Sequence, residues 1–432
     1  MEEHTGFGFD EFSVEMEDFK MRRTSKFDRI WRVSDGGSMC CIPLTHDGIL
    51  YFGSNNFNIY AVDVKTGKLV WKFKTFGIVF ESSPVYWKGM IFAGSFDRNM
   101  YALDAKSGEL RWKYECMDKV NSMACIDNGR IYFASKDQNV YCCDARNGSL
   151  IWKFHTQDEI GSSPAVHDGK VYIGSFDKVF YCIDARNGRL VWKFVTQGEV
   201  YHANRPLIRD GIVYFTSFDN NLYALTADEG KNVWKLKTAE FGNAYSPVYH
   251  DGKMFLATRD GNLLAISMDG RIEWKFSRMH VPSIPAFKDG RIYVGFEDYN
   301  LYCLDMQGKV IWKFTTQGPI WLTAVFWGNM VIFPSWDCNM YAIDASSARV
   351  IWKFRTEGSP SYLPPAHDEF EVVIRKQAEG AGKKEGERKT YEFILDDESE
   401  DGRFYKSRIT YQISTQYAEK GKYQIDSDEE AL

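Results

Sequence analysis

The sequence predicts an all-β fold: an eight-bladed β-propeller of four-stranded antiparallel blades. Three features point to it: a tryptophan that returns about every forty residues, four short strand-like segments in each repeat, and turn residues between those segments. Trp31, Trp71, Trp112, Trp152, Trp192, Trp234, Trp274, Trp312 and Trp352 follow one another at intervals of 40, 41, 40, 40, 42, 40, 38 and 40 residues. A fixed period of this size marks a solenoid, an array or a propeller.

The unit beginning at residue 160 shows the elements in order: "IGSSPAVHDG", "KVYIGSFD", "KVFYCIDARNG" and "RLVWKFVT". Asp168-Gly169, Asp177 and Asn187-Gly188 separate them, as turns between short strands require. In the last element, as in "LVWKF" at 69–73, Leu69, Trp71 and Phe73 share one strand face and Val70 and Lys72 the other. The period-2 alternation excludes a helical repeat. Gly67, Gly108, Gly148 and Gly188 supply the positive φ of a tight hairpin. Asp97, Asp137, Asp177, Asp219, Asp260, Asp298 and Asp337 recur between the second and third strands. They are read as turn residues bonded to backbone N–H groups, against the alternative of a carboxylate ring for cations.

Composition fits this architecture. Aromatic residues make up 16% of the chain, a high share that favours half-buried strand surfaces. Net charge is −6, distributed as −3 over residues 1–29, −6 over residues 367–432 and about +3 between them. No Lys/Arg stripe is present, so no nucleic-acid partner is expected. No apolar run reaches the roughly 18–20 residues of a membrane span. The nine cysteines are scattered, with Cys40-Cys41 and Cys142-Cys143 adjacent. They read as reduced thiols; with an N-terminus lacking a basic and an apolar region, a cytoplasmic location is expected.

The string Ala61-Val62-Asp63-Val64-Lys65-Thr66-Gly67-Lys68-Leu69-Val70-Trp71 resembles the tryptophan-docking motif of PQQ-type propeller repeats. The match recurs with Ala102/Asp104/Gly108/Trp112, Cys142/Asp144/Gly148/Trp152 and Cys182/Asp184/Gly188/Trp192, while Thr226, Ser267 and Ala348 depart from it. The resemblance implies that the nine tryptophans wedge between neighbouring blades. It also implies two functional groups. One is quinoprotein dehydrogenases holding PQQ and calcium; the other is non-catalytic members, such as the BAM-complex lipoprotein, that bind proteins.

The expected organisation is an acidic extension at 1–26, the propeller at 27–358 and a β-rich extension at 359–432, with a mobile loop at 375–389 and an acidic tail. "FDRIWRV" at 27–33 and the strand-like segments at 361–376 and 389–397 leave a composite ninth blade as the alternative to eight.

Chemistry is sparse. There is no CxxC, HExxH or Walker-type loop, and His46, His167 and His250 occupy separate surface turns. The informative positions are those where the repeat breaks. Where other units carry small residues, "EVYHANRPLI" at 199–208 places Tyr201, His202, Asn204 and Arg205. Other units contribute Glu81, Phe241, Asn243, Tyr245, Met279, His280 and Trp321, with Asp158, Glu159 and Lys119 nearby on similar connections. Glu81, Tyr201, His202, Asn204, Arg205, Tyr245, His280 and Trp321 are the candidate rim residues of a ligand site, since polar and aromatic groups meeting at a concavity mark one. Trp87, Trp327 and Trp336 are further contact candidates. The expected function is a non-enzymatic, monomeric scaffold binding a protein, peptide or small ligand at one rim. No metal and no cofactor are assigned; a PQQ- and calcium-dependent oxidoreductase is the alternative.

Overall fold

The computed structural model describes residues 37–201, 205–243 and 245–358, and the backbone of strands Glu371–Lys376, Arg388–Glu398 and Phe404–Ser414. The chain divides into two compact units, Val33–Leu363 and a second built from Met1–Arg32 and Pro364–Leu432. The first holds eight four-stranded antiparallel sheets, each with its strands in sequence order. Blade 1 comprises Leu44–His46, Ile49–Ser54, Asn58–Asp63 and Leu69–Lys74, and blade 8 ends with Val350–Arg355. In the second unit the three strands form an antiparallel sheet in sequence order. Among the described residues no helix is long and apolar enough to cross a membrane.

The repeat is explained by what each tryptophan touches. Trp71 lies opposite Ala61 in its own blade, and the same register sets Trp152 opposite Cys142, so adjacent Cys142-Cys143 is a small-residue slot beside a core residue. Trp71 then reaches the next blade, where its indole N–H donates to the Ala105 carbonyl at 3.0 Å. A Cβ on Gly108, whose φ is +74°, would come within 2.6 Å of that ring. Trp112, Trp152, Trp192, Trp274 and Trp312 donate in the same way to Ala145, Ala185, Ala227, Met306 and Ala345. Trp234 packs on Gly270.

Ring closure uses the same contact. Trp352 of blade 8 donates to the Val64 carbonyl of blade 1 at 3.0 Å, and Met39, Phe52 and Tyr60 share a core with Ile332 and Met340. Eight blades therefore complete the ring, and the ninth-blade alternative is set aside. Trp31 and the segment 27–33 lie outside the described residues. Of the loop expected at 375–389, residues 375–376 and 388–389 belong to strands, and 377–387 lie outside the described residues.

The recurrent aspartates are turn locks. Asp97 accepts the Tyr101 hydroxyl at 2.7 Å, the Phe76 N–H at 2.7 Å and the Asn99 N–H at 3.1 Å. Asp137, Asp177, Asp219, Asp298 and Asp337 likewise accept a tyrosine hydroxyl four residues on. In blade 6 Leu264 stands in the tyrosine position, and Asp260 bonds Thr258 and Asn262 instead.

Candidate ligand site at the channel end

The innermost strands are shorter than the sequence suggested. In six blades sheet bonding starts directly after a proline, at Leu44, Val85, Ala165, Leu207, Val248 and Ala286; in blades 3 and 8 it starts at the same point, Cys125 and Val325, after an alanine. Proline has no N–H to offer the ladder, so the residues before it form a lead-in segment outside the sheet. Glu81, Tyr201, Tyr245 and Trp321 sit on these lead-ins rather than on first strands.

One lead-in position lies seven residues before the glycine of the first turn and reads Cys41, Ser82, Ser122, Ser162, Asn204, Tyr245, Ser283 and Trp321 around the ring. Small members bond into their own blade: the Gly94, Ala134 and Gly295 N–H groups donate to Ser82, Ser122 and Ser283. Cys41 behaves as one of these serines, since Gly53 N–H donates to its Sγ at 2.8 Å and its thiol donates to the Gly53 carbonyl at 3.3 Å. Tyr245 and Trp321 take this position with side chains far larger than a serine hydroxyl.

Around the hub these side chains meet others from distant blades. The Tyr201 hydroxyl, from blade 5, donates to Glu81 Oε2 of blade 2 at 2.5 Å, and Asn121 Nδ2 lies 3.4 Å from the same oxygen. Tyr201 is fully buried between Phe176 and Phe218, with ring centroids 5.7 and 6.1 Å away. Gly161 makes that room, because a Cβ there would lie 2.6 Å from the tyrosine ring. Arg205 donates through Nη2 to the Ala124 carbonyl of blade 3, and its buried Nε has no hydrogen-bond partner among the described residues.

Glu81 has a φ of +58°. Among the described non-glycine residues it is the one positive φ outside the repeated turns. The Ser82 N–H donates to the Phe80 carbonyl at 2.7 Å, closing a tight γ-turn on Glu81. Such backbone costs on the order of 1–3 kcal/mol and collects at functional sites. Here it aims a carboxylate at the hub.

Apart from Trp336, a second row was missed by the sequence reading. It is the residue just before each turn-locking Asp or Asn: Asn55, Phe96, Lys136, Phe176, Phe218, Arg259, Glu297 and Trp336. Its backbone is tied to the lead-in of the same blade, as in Phe96 N–H to the Ile78 carbonyl and Trp336 N–H to the Pro319 carbonyl. The signal was available as variation, since this is the least uniform position within the most uniform motif. Trp336 is buried against Trp321, with ring centroids 4.0 Å apart, and joins Cys40, Ile78 and Phe80 in one cluster. Lys136 is buried with its ammonium 3.8 Å from Glu159. Burial pushes the Glu297 carboxyl up to about 7, opposed by the Val281 N–H, the Arg259 charge and the Trp321 indole. Burial likewise raises the Tyr245 phenol, and Glu81 and Glu297 both push it further, so both carboxylates act on one place.

Of the other sequence candidates, His280 is exposed on the connection into blade 7. His202 and Asn204 lie outside the described residues. Trp87 and Trp327 pack half-buried against blade cores. Among the described residues, no three His, Cys, Asp or Glu side chains form a group able to hold a metal ion. Cys40 faces the hub cluster while Cys41 is bonded inside its blade, so the adjacent pair does not present two sulfurs to the channel.

Comparison with known proteins places the fold in a family. The sequence profile described as outer membrane protein assembly factor BamB matches residues 28–124, 136–277 and 268–378. The chain belongs to the PQQ-like propeller repeat family. Three solved structures show the same fold. BamB from Moraxella catarrhalis is similar at 17% identity and a TM-score of 0.60, over 73% of this chain and 95% of that one. The computationally designed Ika8 protein is similar at 13% identity and a TM-score of 0.62, over 70% of this chain and 95% of that one. A quinohemoprotein alcohol dehydrogenase, ADHIIG from Pseudomonas putida HK5, is similar at 15% identity and a TM-score of 0.53, over 72% of this chain and 69% of that one. Among curated protein sequences none matches the chain.

Proposed function

We propose that this propeller is a non-enzymatic binding scaffold and that it recognises a protein or peptide at the channel end lined by the two rows. One observation carries the reading. Where the repeat breaks, buried polar atoms of several blades have no hydrogen-bond partner among the described residues: Asn121 Oδ1, Arg205 Nε, Glu297 Oε1 and Trp336 Nε1. A buried polar atom without a partner costs about 1–3 kcal/mol, so a bound molecule that completes these bonds is favoured. The matching profile describes an assembly factor, which supports a protein partner over a small molecule.

The quinone alternative asks for a calcium donor set beside the cofactor, and incubation with PQQ and calcium followed by a thermal-shift assay tests it.

The test is a pull-down with wild type, Tyr201→Phe, Arg205→Ala and a perimeter control, Lys193→Ala. Partners held by wild type and control but lost from both hub variants are expected. Identical partners in all four would overturn the reading.

A further inference from the structure

The connections between blades converge on the channel end that carries the two rows, because their N–H groups bond the locking aspartates. Phe76 donates to Asp97, Met117 to Asp137, Gln157 to Asp177, Gln197 to Asp219 and Gln317 to Asp337. Three of these five rim residues are glutamines; Phe76 and Met117 are not, and they are 87% and 81% exposed. The connections into blades 6 and 7 display Phe241 and Met279, 44% and 66% exposed.

The placement of these four is the informative point. Phe76 and Met117 lead into blades 2 and 3, Phe241 and Met279 into blades 6 and 7. In a closed ring of eight, blades four apart face each other across the channel. Two apolar pairs therefore stand on opposite sides of the hub. Single exposed apolar residues are ordinary, whereas two pairs on opposite sides of a hub of buried polar groups give a partner laid across it an apolar contact at each end. The exposed aliphatic residues of the outer strands, such as Leu69, Val70, Leu190 and Val191, recur blade after blade and belong to the repeat instead.

Between the two pairs the hub holds two carboxylates, together with the cations Lys136, Arg205 and Arg259. Glu81 belongs to blade 2 and Glu297 to blade 7, and both carboxylates act on Tyr245 of blade 6. Against them stands Arg259, which also donates to the Phe241 carbonyl at 3.4 Å. Aromatic walls adjoin, from Phe80, Tyr201, Trp321 and Trp336. Aromatic faces together with carboxylates favour an ammonium or guanidinium group.

We infer that the partner is an extended peptide segment laid across this end of the channel, with apolar residues on the Phe76/Met117 and Phe241/Met279 pairs and a Lys or Arg side chain inserted between them toward Glu297. The inference rests on the binding-scaffold reading and deepens it. The peptide supplies a donor to Glu297 Oε1, whose own neighbouring cation is Arg259. The apolar pairs fix its direction. An apolar–basic–apolar pattern is the sequence it selects.

The test is selection of a random twelve-residue peptide display library on the full chain, followed by affinity measurement of the selected peptides. Twelve residues span up to about 40 Å, so no register is presupposed. Peptides with a Lys or Arg flanked on both sides by apolar residues are expected. Replacing that basic residue with Gln weakens binding at least tenfold, as do Glu297→Gln and each rim double variant, Phe76→Ser/Met117→Ser and Phe241→Ser/Met279→Ser. The rim side chains are exposed, so those variants remain folded; melting curves check it. Failure to select peptides, selected peptides without the basic residue, or affinity unchanged in Glu297→Gln overturns the inference. The pull-down with Tyr201→Phe and Arg205→Ala then decides separately whether this channel end binds a partner of another kind.

Discussion

The outer half of each blade and the hub obey opposite rules. Outside, every blade solves one problem with nearly one set of residues: an indole wedged on the next blade, a small residue opposite it and an aspartate locking the second turn. At the hub, the eight residues in the second row include an amide, a lysine, an arginine, a glutamate and four aromatics at one structural position. Geometry cannot demand such variety, since all eight blades share the geometry. Uniformity therefore marks the residues that build the ring, and departure from it marks the end of the channel proposed to bind a partner. The polar accounting agrees: each locking Asp is bonded several times over, while Glu297 and Trp336 keep buried polar atoms unmatched.

Substitutions should separate the two regions. The largest loss of stability is expected from Trp152→Ala, which removes a buried indole and its bond to Ala185, costing about 3–5 kcal/mol. Urea unfolding measures it, and a loss below roughly 1 kcal/mol would remove the distinction between wedge and ornament. Next is Asp219→Ala, which strands the buried Tyr223 hydroxyl and should cost about 1–3 kcal/mol in the same assay. Gly161→Ala should be milder in stability, about 1–2 kcal/mol, because Tyr201 can shift where a backbone cannot. Its distinctive effect is on recognition, with partner capture reduced although no residue facing the partner is changed. The smallest effect, within about 0.5 kcal/mol, belongs to the exposed Lys193→Ala, and capture should be untouched.

The scaffold was legible from the sequence for a physical reason: wedge, slot and turn each demand one residue type, and eight repetitions make the demand visible. Part of the hub was legible too. Tyr245 and Trp321 stand where a serine usually does, and bulk in a small slot can be read from a string. Glu297, Arg259 and Lys136 were not read, because a residue beside a turn aspartate looks like turn filler until closure places it at the channel. That Tyr201 meets Glu81 needs two distant segments joined across a ring, which periodicity does not specify. Six of the eight three-residue inner strands were legible in principle from the prolines before them.

Glu297 offers the most direct test. Its carboxyl, with Arg259, Tyr245 and the Trp321 indole facing it, is raised from an ordinary 4.5 to about 7 mainly by burial. A carboxyl raised on folding contributes stability below its unfolded value, and that stability is lost as pH rises through the folded one. The wild type should thus lose stability between about pH 4.5 and 7 through this group, and Glu297→Gln should not. The decisive measurement is the melting temperature of Glu297→Gln against wild type at pH 8. A higher value in the variant is expected, since a charge kept at a cost to the fold is kept for a partner. A lower value would make Glu297 a structural counter-ion of Arg259 and contradict the division between scaffold and site.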